Sequence, residues 1–467
     1  MIKEQLGSSS DLSVHEFRTS LGQTGMLLFM KGYTNKERLD EWILPWLMRE
    51  GQEEKLSNQR LRSMPIWKDI VEDDPKKAVP GLLSGQTILL LEDVSEWFLL
   101  DTAKWPERSI SKPQLEVTVK GGRAGFVESL PVNISQIRHM IQSPRLHVEQ
   151  LTMGTLSKTQ VAVLHVDGFA KPEILSEVKS RLKDIDADMV LGVDQISLAI
   201  DDNPWSAFPL IRTTDRPDAA AAALSEGKVA ILSAHSPTCL LVPFTFPETL
   251  QNMDDYYEKW YLATAIRMVR LIAFFISLTL PALYVALGHY NPGLIPTDLL
   301  ISMMSTRVEV PFPIIWELLI MEITMEFFRE SGVRLPRPLG TTVTLAGGIV
   351  IGEAVVSAGL VGPITLIVVG LTALASFSSP SYSMAYTFRL VRVVLTLMAA
   401  LLGLYGLVLG VMLILVHLAS LKSFGVSYLS PLAPASYRDW VDNIFLLPYQ
   451  LRNRRPSYLT KGRTKRK

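Results

Sequence analysis

The sequence contains a single cysteine, Cys239, among 467 residues. That excludes a disulfide framework and a cysteine-ligated zinc site within one chain, and the expectation is a free buried thiol in a reducing compartment. Excess charge of either sign is also lacking: 46 basic residues balance 46 acidic ones, so the total favours neither nucleic acid nor an acidic partner. No GxxxxGKS/T, HExxH, GxSxG or GxGxxG occurs, and the seven histidines are scattered. No acid–base or nucleophile constellation can be assembled, so neither catalysis nor a cofactor is expected. "DIDADMVLGVD" has no glycine at the sixth loop position from Asp184 and no glutamate at the twelfth, which leaves a solvated helix end or turn and no metal site. The start, "MIKEQLGSSSDLSVHEF", lacks the basic residues, apolar block and cleavage site of a secretory signal. A cytoplasmic location for the first half follows as an expectation.

Long apolar runs are present, and most of them fall from Leu271 onward. Leu271 to Gly288 is eighteen residues without charge, with Pro281 tolerated as a kink, and that length spans a hydrocarbon core. From Pro338 to Phe388 the only formal charge is Glu353, and Gly362-Pro363 divides this run into spans near 342–361 and 363–379. Val393 to Leu421 is charge-free for 29 residues, and its Gly403, Gly406 and Gly410 would admit a close neighbouring helix. Four spans are therefore expected, with a fifth segment in question.

That segment, "WELLIMEITMEFFRE", carries Glu317, Glu322, Glu326 and Glu330. Each carboxylate near a helix centre costs roughly 2.5–3.5 kcal/mol and each large apolar residue returns roughly 0.3–0.6 kcal/mol, so alone it should not face lipid. At 100° per residue Glu322, Glu326 and Glu330 form one stripe, while Ile315, Leu319, Ile323 and Phe327 can meet apolar neighbours. Three readings stay open: a solvated face of an interfacial helix, a buried pairing with Arg329 or Arg334, or acids along a water-filled path. Topology does not choose. Five crossings place Arg329, Arg334, Arg337, Arg389 and Arg392 inside but leave the basic tail outside; a re-entrant acidic segment or a hairpin near the C-terminus would repair this.

Before residue 250, short apolar runs alternate with helical patterns in an α/β arrangement. "QTILLLED", "LEVTV", "VAVLHVDG" and "KVAILSA" read as strands, and "PEILSEVKSRLKDI" reads as a helix with Ile174, Val178 and Leu182 on one face. The expected organisation is an α/β cytoplasmic domain of two subdomains, 1–165 and 166–262, then an α-helical multi-pass membrane domain over 263–421 and a basic tail over 422–467. "KGGRAGF" could hold an anion on Lys120, Gly121, Gly122 and Arg123, or be a plain glycine turn.

The string "VEVPFPIIWELLIMEITMEFFRESGVRLPRPLG", with "GGIVIGEAVVSAGL", "ALASFSSPSYS", "GQTILLLED", "TTDRPDAAAAALSEGKVAIL" and "MDDYYEKWYLATAIRMVR", resembles the spore germinant-receptor A-subunit family, the GerA family. The resemblance covers about residues 9 to 456. It implies a subunit in the inner membrane of the spore, working with a transporter-like B subunit and a lipoprotein C subunit on a small-molecule nutrient. It further implies a homo-oligomeric nutrient-gated cation channel. On that footing Glu317, Glu322, Glu326 and Glu353 would line the ion path, and Pro311, Pro313, Gly362 and Pro363 would permit bending. A secondary transporter or a non-conducting scaffold are the competing expectations. Two departures stand out: the family usually has proline at Gly122 and glutamine at Glu353.

Overall fold

A computed structural model describes residues 9–20, 22–48, 56–62, 64, 66, 68–72, 75–104, 113, 116, 120–334, 352–440, 445–452 and 454–460. Two five-stranded sheets form the first half. Sheet 1 takes β1 (Leu12–Arg18), β2 (Thr24–Met30), β3 (Lys68–Glu72), β4 (Thr87–Leu91) and β5 (Glu96–Leu100) in the order β1-β2-β4-β5-β3. Helix α1 (Pro75–Leu83) covers one face through Ala78, Val79 and Leu82, and the helical stretch over 36–47 covers the other through Leu39, Ile43 and Leu47.

Sheet 2 takes β6 (Leu146–Met153), β7 (Thr159–Val166), β8 (Arg212–Thr214), β9 (Val229–Ser233) and β10 (Cys239–Val242) in the order β6-β7-β9-β10-β8. Successive residues of β7 and β9 point to opposite faces, and both faces are covered. Helices α2 (Leu130–Met140) and α5 (Pro217–Ser225) bury Ala162, Leu164, Ala230 and Leu232. Helices α3 (Pro172–Lys183) and α4 (Val193–Ile200) bury Val161, Val163, Val229 and Ile231. This explains why "VAVLHVDG" and "KVAILSA" are apolar without alternation. Ile174, Val178 and Leu182 are buried as the helical spacing predicted.

The α/β layering holds, but every described pairing is antiparallel, because β6–β7 and β9–β10 are consecutive neighbours and the helices are excursions over the faces. The boundary expected near residue 165 falls inside β7, so sheet 2 draws strands from both sides of it. The predicted strand "LEVTV" lies outside the described residues except for Glu116, as do Arg337 and residues 342–351 of the predicted span 342–361. Cys239 is fully buried and free, and burial pushes its thiol far above the usual range.

The two sheet units are clamped by a dry ion pair. Arg138 on α2 donates from Nε (3.0 Å) and Nη2 (2.7 Å) to Asp11 Oδ2, and Ser10 N donates to Val148 O at 2.9 Å.

A helical layer follows, comprising α6 (Trp260–Val285), α7 (Thr297–Ser305), α8 (Ile314–Arg334), α9 (Pro363–Ser376) and α10 (Tyr382–Ser420). Asp255 receives Arg267 (2.9 Å) and Arg270 (2.6 Å), which fixes the start of α6 to the sheet domain. Burial alone would raise the Asp255 carboxyl, but hydrogen bonding and charge from Arg270, with Arg267, hold it below the usual range. The far end of α6 is marked by Tyr284, whose hydroxyl meets Thr365 Oγ1 at 3.0 Å, and just beyond it by Tyr290, which donates to Leu401 O at 3.2 Å.

Helix α10 is two antiparallel arms, 382–402 and 404–420, reversing at Gly403 with φ 63° and ψ −143°. A side chain on Gly410 would meet Leu395 at 2.6 Å, fifteen residues earlier, a separation of about 22 Å in a straight helix. The run Val393 to Leu421, expected as one span, is therefore parts of two, and its glycines admit the chain's own other arm. Both arms return to the domain end: Thr387 Oγ1 donates to Ala207 O, and His417 Nε2 lies 3.0 Å from Ser206 Oγ.

The tail docks on sheet 2. Phe424 and Val426 join its core, Phe424 N donates to Asp202 Oδ2 at 2.7 Å, and Thr460 bridges Ala170. The tail therefore lies at the same end of the helical layer as the two termini of the α10 hairpin.

Candidate functional site

Helix α8 begins where Pro313 O accepts from Trp316 N and Glu317 N, and it runs from the far end to the domain end beside α9. Ile314 lies against Gly288 at one end, and Arg329 Nη2 donates to Ser376 Oγ at 3.2 Å at the other. Its apolar face packs Ile314, Leu318 and Met321 against Tyr284, Val285 and Val368.

Each of the first three acids meets an arginine. Glu317 is fully buried: Oε1 accepts from Arg307 Nη2 at 2.7 Å, and Oε2 accepts from Gly362 N and Thr365 Oγ1, both at 2.9 Å. Four donors thus hold it once the Arg307 Nε contact at 3.2 Å is included, so no oxygen of this buried side chain lacks a partner. Glu322 Oε1 lies 3.0 Å from Arg392 Nε, and both side chains are nearly buried. Glu326 pairs with Arg389 and, at 3.3 Å, with Arg329, while half its side chain stays exposed. Glu330 and Glu353 are exposed, and Glu353 makes no ion pair among the described residues.

Arg389 and Arg392 sit on the first arm of α10, which runs antiparallel to α8, so the later acid meets the earlier arginine. The sequence pointed to Arg329 or Arg334, of which Arg329 meets Glu326 and the side chain of Arg334 lies outside the described residues, and it did not point to Arg307, Arg389 or Arg392. The signal was available: Glu322 and Glu326 are four apart, Arg389 and Arg392 three apart, and both pairs lie on apolar helices.

The expected hinges differ in their surroundings. Pro311 and Pro313 lie in the irregular approach to α8, on either side of a bend at Phe312. Gly362, by contrast, caps α9 with Pro363 in its first turn, and its N–H is held by Glu317. A Cβ on Gly362 would come within 3.3 Å of Arg307 and 3.4 Å of Glu317, so this glycine permits close packing more than bending.

The anion loop is occupied by the protein itself. Lys120 Nζ pairs with Glu258 at 2.6 Å, Lys120 N donates to Asp254 Oδ1 at 3.3 Å, and Gly122 O accepts from Arg216 Nη2 at 3.1 Å. Gly121, at φ +102°, lies flat against Tyr257, whose ring a Cβ would meet at 2.6 Å. Arg123 is exposed. No cluster of metal-ligating side chains occurs among the described residues.

A cavity of about 540 Å³ opens at the seam between sheet 2 and the helices, lined by Glu116, Arg212, Arg270, Phe377, Ser378 and Ser381. Phe377 also carries the Arg329 guanidinium over its ring at 5.4 Å, so the cavity reaches the domain end of the paired acids. The arrangement provides a line of compensated charges along one helix, wet at one end and dry at the other.

The chain matches the family model described as Bacillus/Clostridium GerA spore germination protein over residues 1–458. It is 37% identical over 469 residues to spore germination protein KA of Bacillus subtilis (strain 168), covering 98% of this chain and 85% of the relative. It is also 36% identical over 460 residues to the uncharacterized membrane protein YfkQ of the same organism, covering 97% and 89%. Among solved structures it is similar to the N-terminal domain of the A subunit of the Bacillus megaterium spore germinant receptor GerK3, at 21% identity and a TM-score of 0.39, covering 52% of this chain and 92% of that one. By the family model and by these identities over nearly its whole length, the chain belongs to the GerA family of spore germination proteins.

Proposed function

We propose that this protein is the A subunit of a nutrient germinant receptor, that its helical half spans the inner membrane of the spore, and that several copies assemble into a cation channel. The sheet domain and the docked tail lie on the cytoplasmic side. Two stretches, Trp260–Tyr290 and Ser383–Ser420, are long and apolar enough to cross a membrane, with mean hydropathy 2.1 and 2.6. The second folds into two arms, and α8 and α9 both run from the far end to the domain end. The described helices α6, α8 and α9 and the two arms of α10 each run between the far end and the domain end. Large apolar side chains such as Phe275, Ile323, Phe327, Leu371, Leu397 and Val408 are exposed along these helices, a surface that suits acyl chains or neighbouring copies.

The observation that carries the reading is the state of the acids. Glu322 and Glu326 are compensated by Arg392 and Arg389 in the single chain, so these two acids offer a cation no unpaired charge. This is the closed form. Moving α8 against α10 would uncouple the pairs, and Glu353 and Glu330 would add charge on the exposed side. A transporter-like B subunit binding the nutrient and a lipoprotein C subunit would bias that movement. Flux through proteoliposomes holding the full chain with its partner subunits tests this. Glu322→Gln with Glu326→Gln should change nutrient-dependent cation flux or selectivity, and unchanged flux and selectivity would remove these acids from the mechanism.

The complete burial and fourfold ligation of Glu317 favour a second reading, a non-conducting scaffold in which the acids only lock helices together. Assembled complexes that never pass ions with nutrient present would support it.

A further inference from the structure

Helix α4 and the loops on either side of it expose large apolar side chains where sheet 2 meets the helical layer. Leu191 is 61% exposed, Leu198 75% and Trp205 96%, at intervals of seven residues. The opposite face of α4 is spent on the sheet core through Val193, Ile196 and Ile200. Asp194 and Leu198, four apart, share a face, and Asp194 lines the seam cavity with Ser378, Ser379 and Ser381 of the turn between α9 and α10. At the other end Asp202 holds Phe424 N, and Ser206 and Ala207 are bonded to His417 and Thr387 at the ends of the α10 arms. The 202–207 end of this segment is therefore held at the level where the helices emerge, next to the exposed Trp205.

From this placement we propose that α4 and Trp205 lie in the headgroup layer of the membrane, Leu191, Leu198 and Trp205 reaching the acyl boundary. The inference rests on the reading that the helical half spans a bilayer. Tryptophan prefers this zone because its ring is apolar and its N–H polar. Between Lys183 and Arg212 the chain carries six aspartates and no lysine or arginine, so the fitting surface is zwitterionic lipid and not anionic lipid. Contact there would couple the sheet domain to the bilayer beside the hairpin that carries Arg389 and Arg392.

The test uses the full chain in phosphatidylcholine nanodiscs, with nitroxide on single cysteines replacing Leu198, Trp205, Leu397 and Lys36; buried Cys239 does not compete for the label. Relative accessibility to oxygen and to a water-soluble nickel chelate gives depth. Leu198→Cys and Trp205→Cys should read at the headgroup level, with oxygen accessibility several-fold higher relative to nickel than for Lys36→Cys. Labels at 198 and 205 that match Lys36, or spin–spin broadening that reports a second copy on the stripe, would overturn the inference. Leu397, exposed on α10, separates the two readings: a deep Leu397 with water-exposed 198 and 205 defeats only this inference, and a water-exposed Leu397 defeats the membrane span itself.

Discussion

Arg392 on the first arm of α10 places Nε 3.0 Å from Glu322 Oε1 on α8, and the two side chains are 7% and 8% exposed. A pair this dry adds little net stability over apolar residues of the same size, yet breaking it strands a charge. Replacing either partner alone, Glu322→Leu or Arg392→Met, should cost about 3–5 kcal/mol, and the double replacement should recover most of it. Thermal unfolding of the detergent-solubilised chain in a double-mutant cycle measures this. Costs that simply add would mean the two groups do not interact.

Glu317 should behave as a structural anchor. Glu317→Ala leaves the Gly362 N–H, Thr365 and Arg307 without their acceptor, at a cost of about 3 kcal/mol, and Glu317→Gln, which keeps one acceptor, should cost less. Urea-dependent loss of helicity provides the comparison.

The reversal at Gly403 excludes other residues. Alanine there adopts a backbone conformation that costs about 1–3 kcal/mol, and its methyl meets the Tyr290 ring at 2.9 Å. Gly403→Ala should lower the melting temperature, and Tyr290→Ala in the same chain should restore only the steric part.

Topology can be read from single cysteines. Ser457, whose N–H donates to Asp439 Oδ1 at 3.2 Å within the docked tail, and Ser331 near the domain end of α8 should label from the cytoplasmic side of sealed vesicles. Ser305, at the end of α7, should label from the opposite side. Ser457 labelling with Ser305 would require an odd number of crossings.

The sheet domain should weaken in acid through His165. Burial first, and the stacked His147 ring at 5.4 Å next, push the His165 imidazole down to about 4, and its Nδ1 has no partner among the described residues. In the unfolded chain it binds a proton near pH 6.5, so stability is intact above that value and falls as pH drops toward 4, by about 3 kcal/mol in total. His165→Leu should flatten this slope, measured by hydrogen exchange of β6 and β7 between pH 7 and 4.

Strands β4, β7 and β9 and helix α3 were legible in the sequence because local patterning decides them. Val161 and Val163 face one layer and Ala162 and Leu164 the other, and the sequence already shows that both are apolar. Strand direction was not legible, since a helical excursion between two strands is compatible with either sense until pairing is seen. The acids of α8 were visible as a stripe unfit for lipid. Their partners were hidden because Arg389 and Arg392 lie 63 and 70 residues further on. One glycine, Gly403, inverted the topology, and an apolar run containing glycine reads the same whether it continues or turns back.

By itself, then, the sequence determined the two halves, the family and the cost of placing carboxylates on an apolar helix, because these follow from composition and local order. Only the tertiary structure decided which arginine meets which acid, where the last helix reverses and which face of the sheet domain holds the tail. Those depend on contacts between residues far apart in the chain, which no local pattern encodes.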